Sequence, residues 1–168
     1  MILFFRSSQN FHCLPLLRKL LRREKQKTEP ILLILQSNID FEDQKDYSNI
    51  INQTSGDVIW YNADGFSREN LEKELGDIVK ENLGDISKVI IPINNVHGLG
   101  YLELVEFCDR HGLSCVTFHH QISGFSEITL SEFKARIEEV KKIKNTNVAK
   151  KKAELPTLLV RYRSRHQD

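Results

Sequence analysis

The sequence predicts one α/β domain built on a doubly wound parallel sheet, Rossmann-like or flavodoxin-like, with five strands in the order 3-2-1-4-5. Three observations lead there. Short runs rich in β-branched and aromatic residues alternate with longer amphipathic stretches. The run Ile31–Leu35 is apolar at every position, as in a strand covered by helices on both faces. The 168 residues suffice for one full domain and are few for two.

Each element follows from local pattern. Ile2–Phe5 is strand 1. A helix of about three turns follows, with Leu14, Leu17, Leu20 and Leu21 on one face and Arg18, Lys19, Arg22 and Arg23 elsewhere. Pro15 is expected in its first turn, where amide hydrogens lack helical partners anyway. Ile31–Leu35 is strand 2. Residues from Asp40 to Gln53 predict a short helix with Tyr47, Ile50 and Ile51 inward. Val58–Tyr61 is strand 3. Ser67 is the expected N-cap of a helix to Leu83, with Leu71, Leu75, Ile78, Val79 and Leu83 at helical spacing. Gly84 stands where a left-handed C-terminal cap is expected.

Lys88–Ile93 is strand 4. Tyr101–His111 is the next helix, with Leu104, Val105 and Cys108 inward and Gly112 closing it. Ser114–Phe118 is strand 5. Thr129 and Glu132 form a capping box for a last helix that carries Phe133, Ile137 and Val140 to Ile143. The domain therefore spans 1–143. The remainder, 144–168, is a basic tail, and from Lys141 to Arg165 nine Lys or Arg residues meet one acid, Glu154. Asn145 to Lys152 reads as a polar linker and Pro156 to Tyr162 as a sixth strand or docked segment. The tail is either a solvated end or a contact for an anionic surface such as lipid or polyphosphate.

Bulk composition narrows the function classes. Hydrophobic residues make 40% and charged residues 28%, ordinary for a globular protein. A net charge of +1 supplies no global drive toward nucleic acid, so no specific nucleic-acid partner is expected. No run approaches the roughly 18 apolar residues of a membrane span. The apolar start meets Arg6 at once, unlike an export signal with its basic residues first. Cys13, Cys108 and Cys115 form no CxxC pair, so they are expected as reduced thiols in a cytoplasmic protein.

Ligands of open parallel sheets bind beyond the carboxyl ends of the strands. The residues there are Arg6 to Asn10, Gln36 to Asn38, then Asn62, Asp64 and Gly65. Next come Asn94, Asn95, His97, Gly98 and Gly100, and finally His119 to Gln121. Hydroxyls, amides and imidazoles dominate, suiting a polyhydroxyl ligand or a phosphate, although such residues also serve turns and caps. The candidate ligand residues are Ser7, Ser8, Asn94, Asn95, Gly98, Gly100 and Tyr101. The candidate catalytic residues are His97, His119, His120 and Asp64, since imidazole titrates near neutral pH. No GxGxxG, GxxxxGK[ST] or GxSxG pattern is present, and only Asp64 is well placed among acids, so no cofactor and no metal are expected.

The stretch Lys88 to Phe107, KVIIPINNVHGLGYLELVEF, runs an apolar strand into Pro-Ile-Asn-Asn, a glycine loop and a Gly-Tyr that opens a helix. With ILFFRSS and its Leu-rich helix, it resembles the amino-terminal halves of bacterial GT-B glycosyltransferase-like proteins of the heptosyltransferase type. The resemblance covers strand 1 to strand 5 and matches no catalytic signature residue by residue. It implies a sugar, glycolipid or nucleotide-sugar ligand. Asn94 and Asn95 would offer amides, Gly98 and Gly100 would allow close backbone approach, and Tyr101 would fix the helix start. GT-B enzymes bind the donor mainly through a second Rossmann-like domain, so the resemblance also implies a second transferase subunit or a lineage without catalysis. Two other readings stand beside it: a non-catalytic flavodoxin-like interaction module, and a small metal-dependent hydrolase or nuclease using Asp64 with a histidine.

Overall fold

A computed structural model describes residues 1–24, 29–52, 56–95, 98–119, 125–127, 129–143 and 145. The chain alternates β1 (Ile2–Phe5), α1 (Asn10–Glu24), β2 (Ile31–Gln36), α2 (Phe41–Ile51), β3 (Asp57–Tyr61), α3 (Arg68–Asn82), β4 (Lys88–Ile93), α4 (Leu102–Arg110), β5 (Cys115–His119) and β6 (Phe125–Glu127). A last helix, α5, covers 130–143. The sheet order is β3-β2-β1-β4-β5-β6. The first five strands are parallel and take the order the sequence predicts. The three-residue β6 pairs antiparallel with β5, an addition the sequence reading lacked. The expected extra strand at Pro156 to Tyr162 lies outside the described residues, as does most of the tail.

Strand alternation divides the core into two layers. Ile2 and Phe4 of β1 point to one side, where they meet Cys13, Leu16, Leu17 and Leu20 of α1 and Tyr47, Ile50 and Ile51 of α2. Leu3 and Phe5 point to the other, toward Leu71, Leu75 and Val79 of α3, Leu104 and Phe107 of α4, and Phe133 of α5. Helices on both faces explain why β1, β2 and β4 are apolar almost throughout.

Four local expectations change. Pro15 falls in the second turn of α1, because the helix already starts at Asn10 with Gln9 accepting from the His12 and Cys13 amides. The buried stripe of α1 is Cys13, Leu16, Leu17 and Leu20, and Leu14 and Leu21 only flank it. A stripe starting one residue earlier follows from the earlier helix start. Leu83 is 45% exposed, since α3 ends at Asn82 and Leu83 lies past the surface it would cover. Gly84 is not a left-handed cap. The α3 end turns on right-handed, with the Asn82 carbonyl accepting from the Asp85 and Ile86 amides and the Asn82 side chain donating to Ile78. Gly112, at φ 66°, does close α4: Leu113 N–H reaches the Cys108 carbonyl and Gly112 N–H the Asp109 carbonyl.

Side-chain caps and pairs fix the helix positions. Ser67 accepts from the Asn70 amide, as expected of an N-cap. Thr129 and Glu132 form the expected capping box, Thr129 N–H donating to Glu132 at 2.9 Å and Glu132 N–H to Thr129 Oγ1 at 3.3 Å. Glu72 of α3 receives Arg110 Nε at 2.9 Å and lies 3.1 Å from His111 Nε2, clamping α3 to the end of α4. Burial pushes the Glu72 carboxyl up, but the bonds from His111 and Arg110 outweigh it and leave the carboxyl below its ordinary value. A carboxyl lowered in the folded state stabilises above its unfolded pKa, and that contribution fades as pH falls through the folded one. Thermal melts of Glu72→Gln should therefore trail wild type by up to about 1 kcal/mol near neutral pH. The gap should close on acidification below the ordinary Glu value of 4.5. A gap that widens in acid would contradict this.

Candidate functional site

The site begins with a proline. Alternation along β4 is set by Val89, whose N–H reaches the Ser114 carbonyl on the β5 side. Pro92, three residues on, therefore faces β1, and proline has no N–H to offer there. The β1–β4 ladder accordingly stops at Phe4↔Ile90, while β4 continues beside β5 to Ile93↔His119. The Pro92 carbonyl instead accepts from the Ser7 hydroxyl at 2.6 Å. The two central strands thus part at their carboxyl ends, where their following helices leave to opposite faces of the sheet. This is the topological switch point of the fold, the place where open α/β sheets bind ligands.

One wall is the β1–α1 loop. Arg6 N–H bonds the Ile34 carbonyl, completing the ladder to β2, and the guanidinium lies 3.8 Å from the Asp43 carboxylate of α2. Tyr47 Oη also engages Arg6, and burial pushes the Tyr47 hydroxyl pKa far up. Ser8 is buried, its hydroxyl 3.3 Å from the Cys13 sulfur. Burial likewise raises the Cys13 thiol, against the pull of the Ser8 hydrogen bonds, making it an unreactive packing group. The first turn of α1 contains no acid, so its amide end keeps a positive field.

The other wall is the loop from Asn94 to Tyr101, with residues 96–97 outside the described set. Asn95 pairs its side chain with the Leu99 backbone in both directions, Nδ2 donating to the carbonyl at 3.0 Å and Oδ1 accepting the amide at 2.9 Å. Tyr101 is buried at the helix start, its Oη accepting from the Asn94 amide at 3.1 Å. Burial raises its hydroxyl pKa against that bond. Gly98 has φ 71°, and a Cβ there would lie 2.2 Å from the Phe133 ring. Its bare side is therefore filled by α5. Gly100, at φ 89°, has open space on its Cβ side.

The seven residues expected to bind ligand thus divide. Ser7, Ser8, Asn95, Gly98 and Tyr101 each have an internal partner that shapes the two loops. Asn94 is exposed, with its Oδ1 accepting from Asn95, and Gly100 faces open space. The loops are braced by side chains and offer mainly backbone and one amide. Of the catalytic candidates, His97, His120 and the side chain of His119 lie outside the described residues. Asp64 is exposed beyond β3, receiving Asn38 Nδ2 at 3.4 Å. Among the described residues no cluster of three or more His, Cys, Asp or Glu could hold a metal ion. Two features lie beyond the sequence expectations: the break that Pro92 makes in the β1–β4 ladder and the Tyr47–Arg6 contact. A proline inside an otherwise continuous strand was the available signal for the first.

A hollow of about 390 Å³ lies at the opposite end of the sheet from these loops, between the last turn of α4 and the start of α5, with Asp109, Ser114, Cys115 and Thr129 on its wall. Cys108 lies next to Cys115, and their hydrogen bond, with burial, holds the Cys108 thiol well above its ordinary pKa.

The fold is that of a doubly wound α/β domain, with its topological switch point between β1 and β4. No protein-family model, curated protein or solved structure matches the chain. Among the described residues no helix is long and apolar enough to cross a membrane.

Proposed function

We propose that this chain is a glycosyltransferase-like binding domain that holds a sugar, glycolipid or nucleotide-sugar in the crevice between the β1–α1 and β4–α4 loops. The observation that carries the reading is the parting of β1 and β4 at Pro92, between two loops braced from within. A polyhydroxyl ligand needs donors and acceptors at fixed positions, and braced backbone with the Asn94 amide provides them at little ordering cost. The acid-free first turn of α1 favours a ligand that also bears phosphate. Catalysis would then require a second transferase subunit, as the resemblance to GT-B proteins, whose donor is bound mainly by a second Rossmann-like domain, implies.

Saturation-transfer NMR against a panel of sugars, sugar phosphates and nucleotide-sugars tests the reading. At least one member should show contact, and Asn94→Ala, an exposed change, should weaken it about ten-fold, near 1.4 kcal/mol. Silence from the whole panel, or contact indifferent to Asn94→Ala, would sink it.

A further inference from the structure

The two edges of the sheet differ. On one side the short antiparallel β6 closes the sheet beyond β5. On the other, among the described residues, β3 has a neighbour only in β2. Alternation shows which of its backbone groups face outward. The Tyr61 carbonyl accepts from the Ser37 amide, so Tyr61, Ile59 and Asp57 turn toward β2. Val58 and Trp60 therefore turn their N–H and C=O groups away from the sheet. The Val58 N–H is taken by its neighbour's carboxylate, Asp57 Oδ1 at 2.7 Å, and the next outward amide, Asn62, reaches Glu74 at 3.4 Å. Between them, no described group accepts from the Trp60 N–H.

The side chains match this exposure. Trp60 is 42% exposed on the face that Val58 shares with the α1–α2 layer. Phe41, which opens α2 in that layer, is 74% exposed. An edge with one free donor, an apolar sequence and no lysine or proline is a pairing template.

We propose that two copies of this chain associate through β3, each edge pairing antiparallel with the other about a two-fold axis at Ile59. The outward groups fall symmetrically on either side of Ile59, so the edge is its own complement. Val58 of one copy faces Trp60 of the other and exchanges both N–H···O=C bonds with it, and the symmetry doubles the set. Asp57 lies opposite Tyr61 of the second copy, so no like charges meet across the paired strands. Trp60 packs over Val58 of the other copy, an aromatic–β-branched pair of the kind that stabilises sheets. The Asp57 carboxylate acts as a gate, since it occupies the place the incoming carbonyl must take.

Two measurements test this. In sedimentation velocity over a wide concentration range, wild type should show a monomer–dimer equilibrium. Trp60→Arg should weaken it about ten-fold, near 1.4 kcal/mol. Asp57→Ala should tighten it at least about three-fold by removing the gate, roughly 0.6 kcal/mol. Separately, Ile59→Cys should crosslink to itself under mild oxidation. Its two α-carbons would form a non-hydrogen-bonded pair about 4.5 Å apart, within disulfide reach. Val58→Cys, which faces Trp60, should crosslink at least about ten-fold more slowly. Circular dichroism checks that each variant folds. A monomer at every concentration, a dimer indifferent to both Trp60→Arg and Asp57→Ala, or equal crosslinking at positions 58 and 59 would each overturn the proposal.

Discussion

Gly98→Ala is expected to lower the unfolding free energy by about 2–5 kcal/mol, from a left-handed backbone penalty near 1–2 and an overpacking cost near 1–3. The backbone at Gly98 has φ 71°, and the added methyl would meet the Phe133 ring at 2.2 Å. Either the loop lifts from α5 or the ring leaves its buried place between the helix and the sheet. In a domain of this size each kcal/mol shifts the melting temperature by about 2–4 °C, so a fall of roughly 4–20 °C is expected. The two causes separate in a double-mutant cycle. Adding Phe133→Leu should return the steric part and leave the backbone part. Additive effects would show that Gly98 and Phe133 are not in contact. Under the proposed sugar-binding function, the same change should also lower affinity for the ligand, because Gly98 belongs to the β4–α4 loop.

Tyr47→Phe is expected to cost about 1.5–3 kcal/mol, the range for a hydrogen bond to a charged group. Tyr47 is fully buried, and its hydroxyl engages the Arg6 guanidinium and the Cys13 thiol. The variant keeps the ring and its packing, so the loss isolates the hydroxyl. Its pH dependence has a definite sign. Burial raises the Tyr47 pKa above the ordinary 10.0, so its contribution is full below that value and is lost as pH rises further. Denaturant unfolding at neutral pH should show the full difference from wild type, and at strongly alkaline pH the difference should shrink. A neutral-pH loss below about 0.5 kcal/mol would mean that the hydroxyl does not support Arg6. The change should also loosen the β1–α1 wall, because Arg6 is the first residue after β1.

Much of the fold was legible because periodicity is a local property. Ile31, Leu33 and Leu35 are buried on one face and Ile34 on the other, which is what a doubly covered strand requires. Tyr47, Ile50 and Ile51 were read inward at helical spacing and are inward. The capping box at Thr129 and the glycine end at Gly112 were equally local signals. Boundaries that depend on distant packing are not local properties. Leu83 keeps helical spacing, yet α3 ends before the core can receive it. Gly84 resembles a cap in sequence, but the Asn82 carbonyl and the following amides close the helix without it.

The candidate site shows the same division. Sequence alone placed polar residues after strands 1 and 4, since strand ends and their loops are local features. It also set Pro92 in β4, which denies the central ladder a donor. What each polar group does was decided by tertiary structure, because hydrogen-bond partners come from other elements. Ser7 serves the Pro92 carbonyl of β4, Gly98 makes room for Phe133 of α5, and Tyr47 of α2 holds Arg6. A chain read in one dimension shows which groups are able to bind. Only the packed fold shows which have been used to build the walls, leaving Asn94 and Gly100 facing open space.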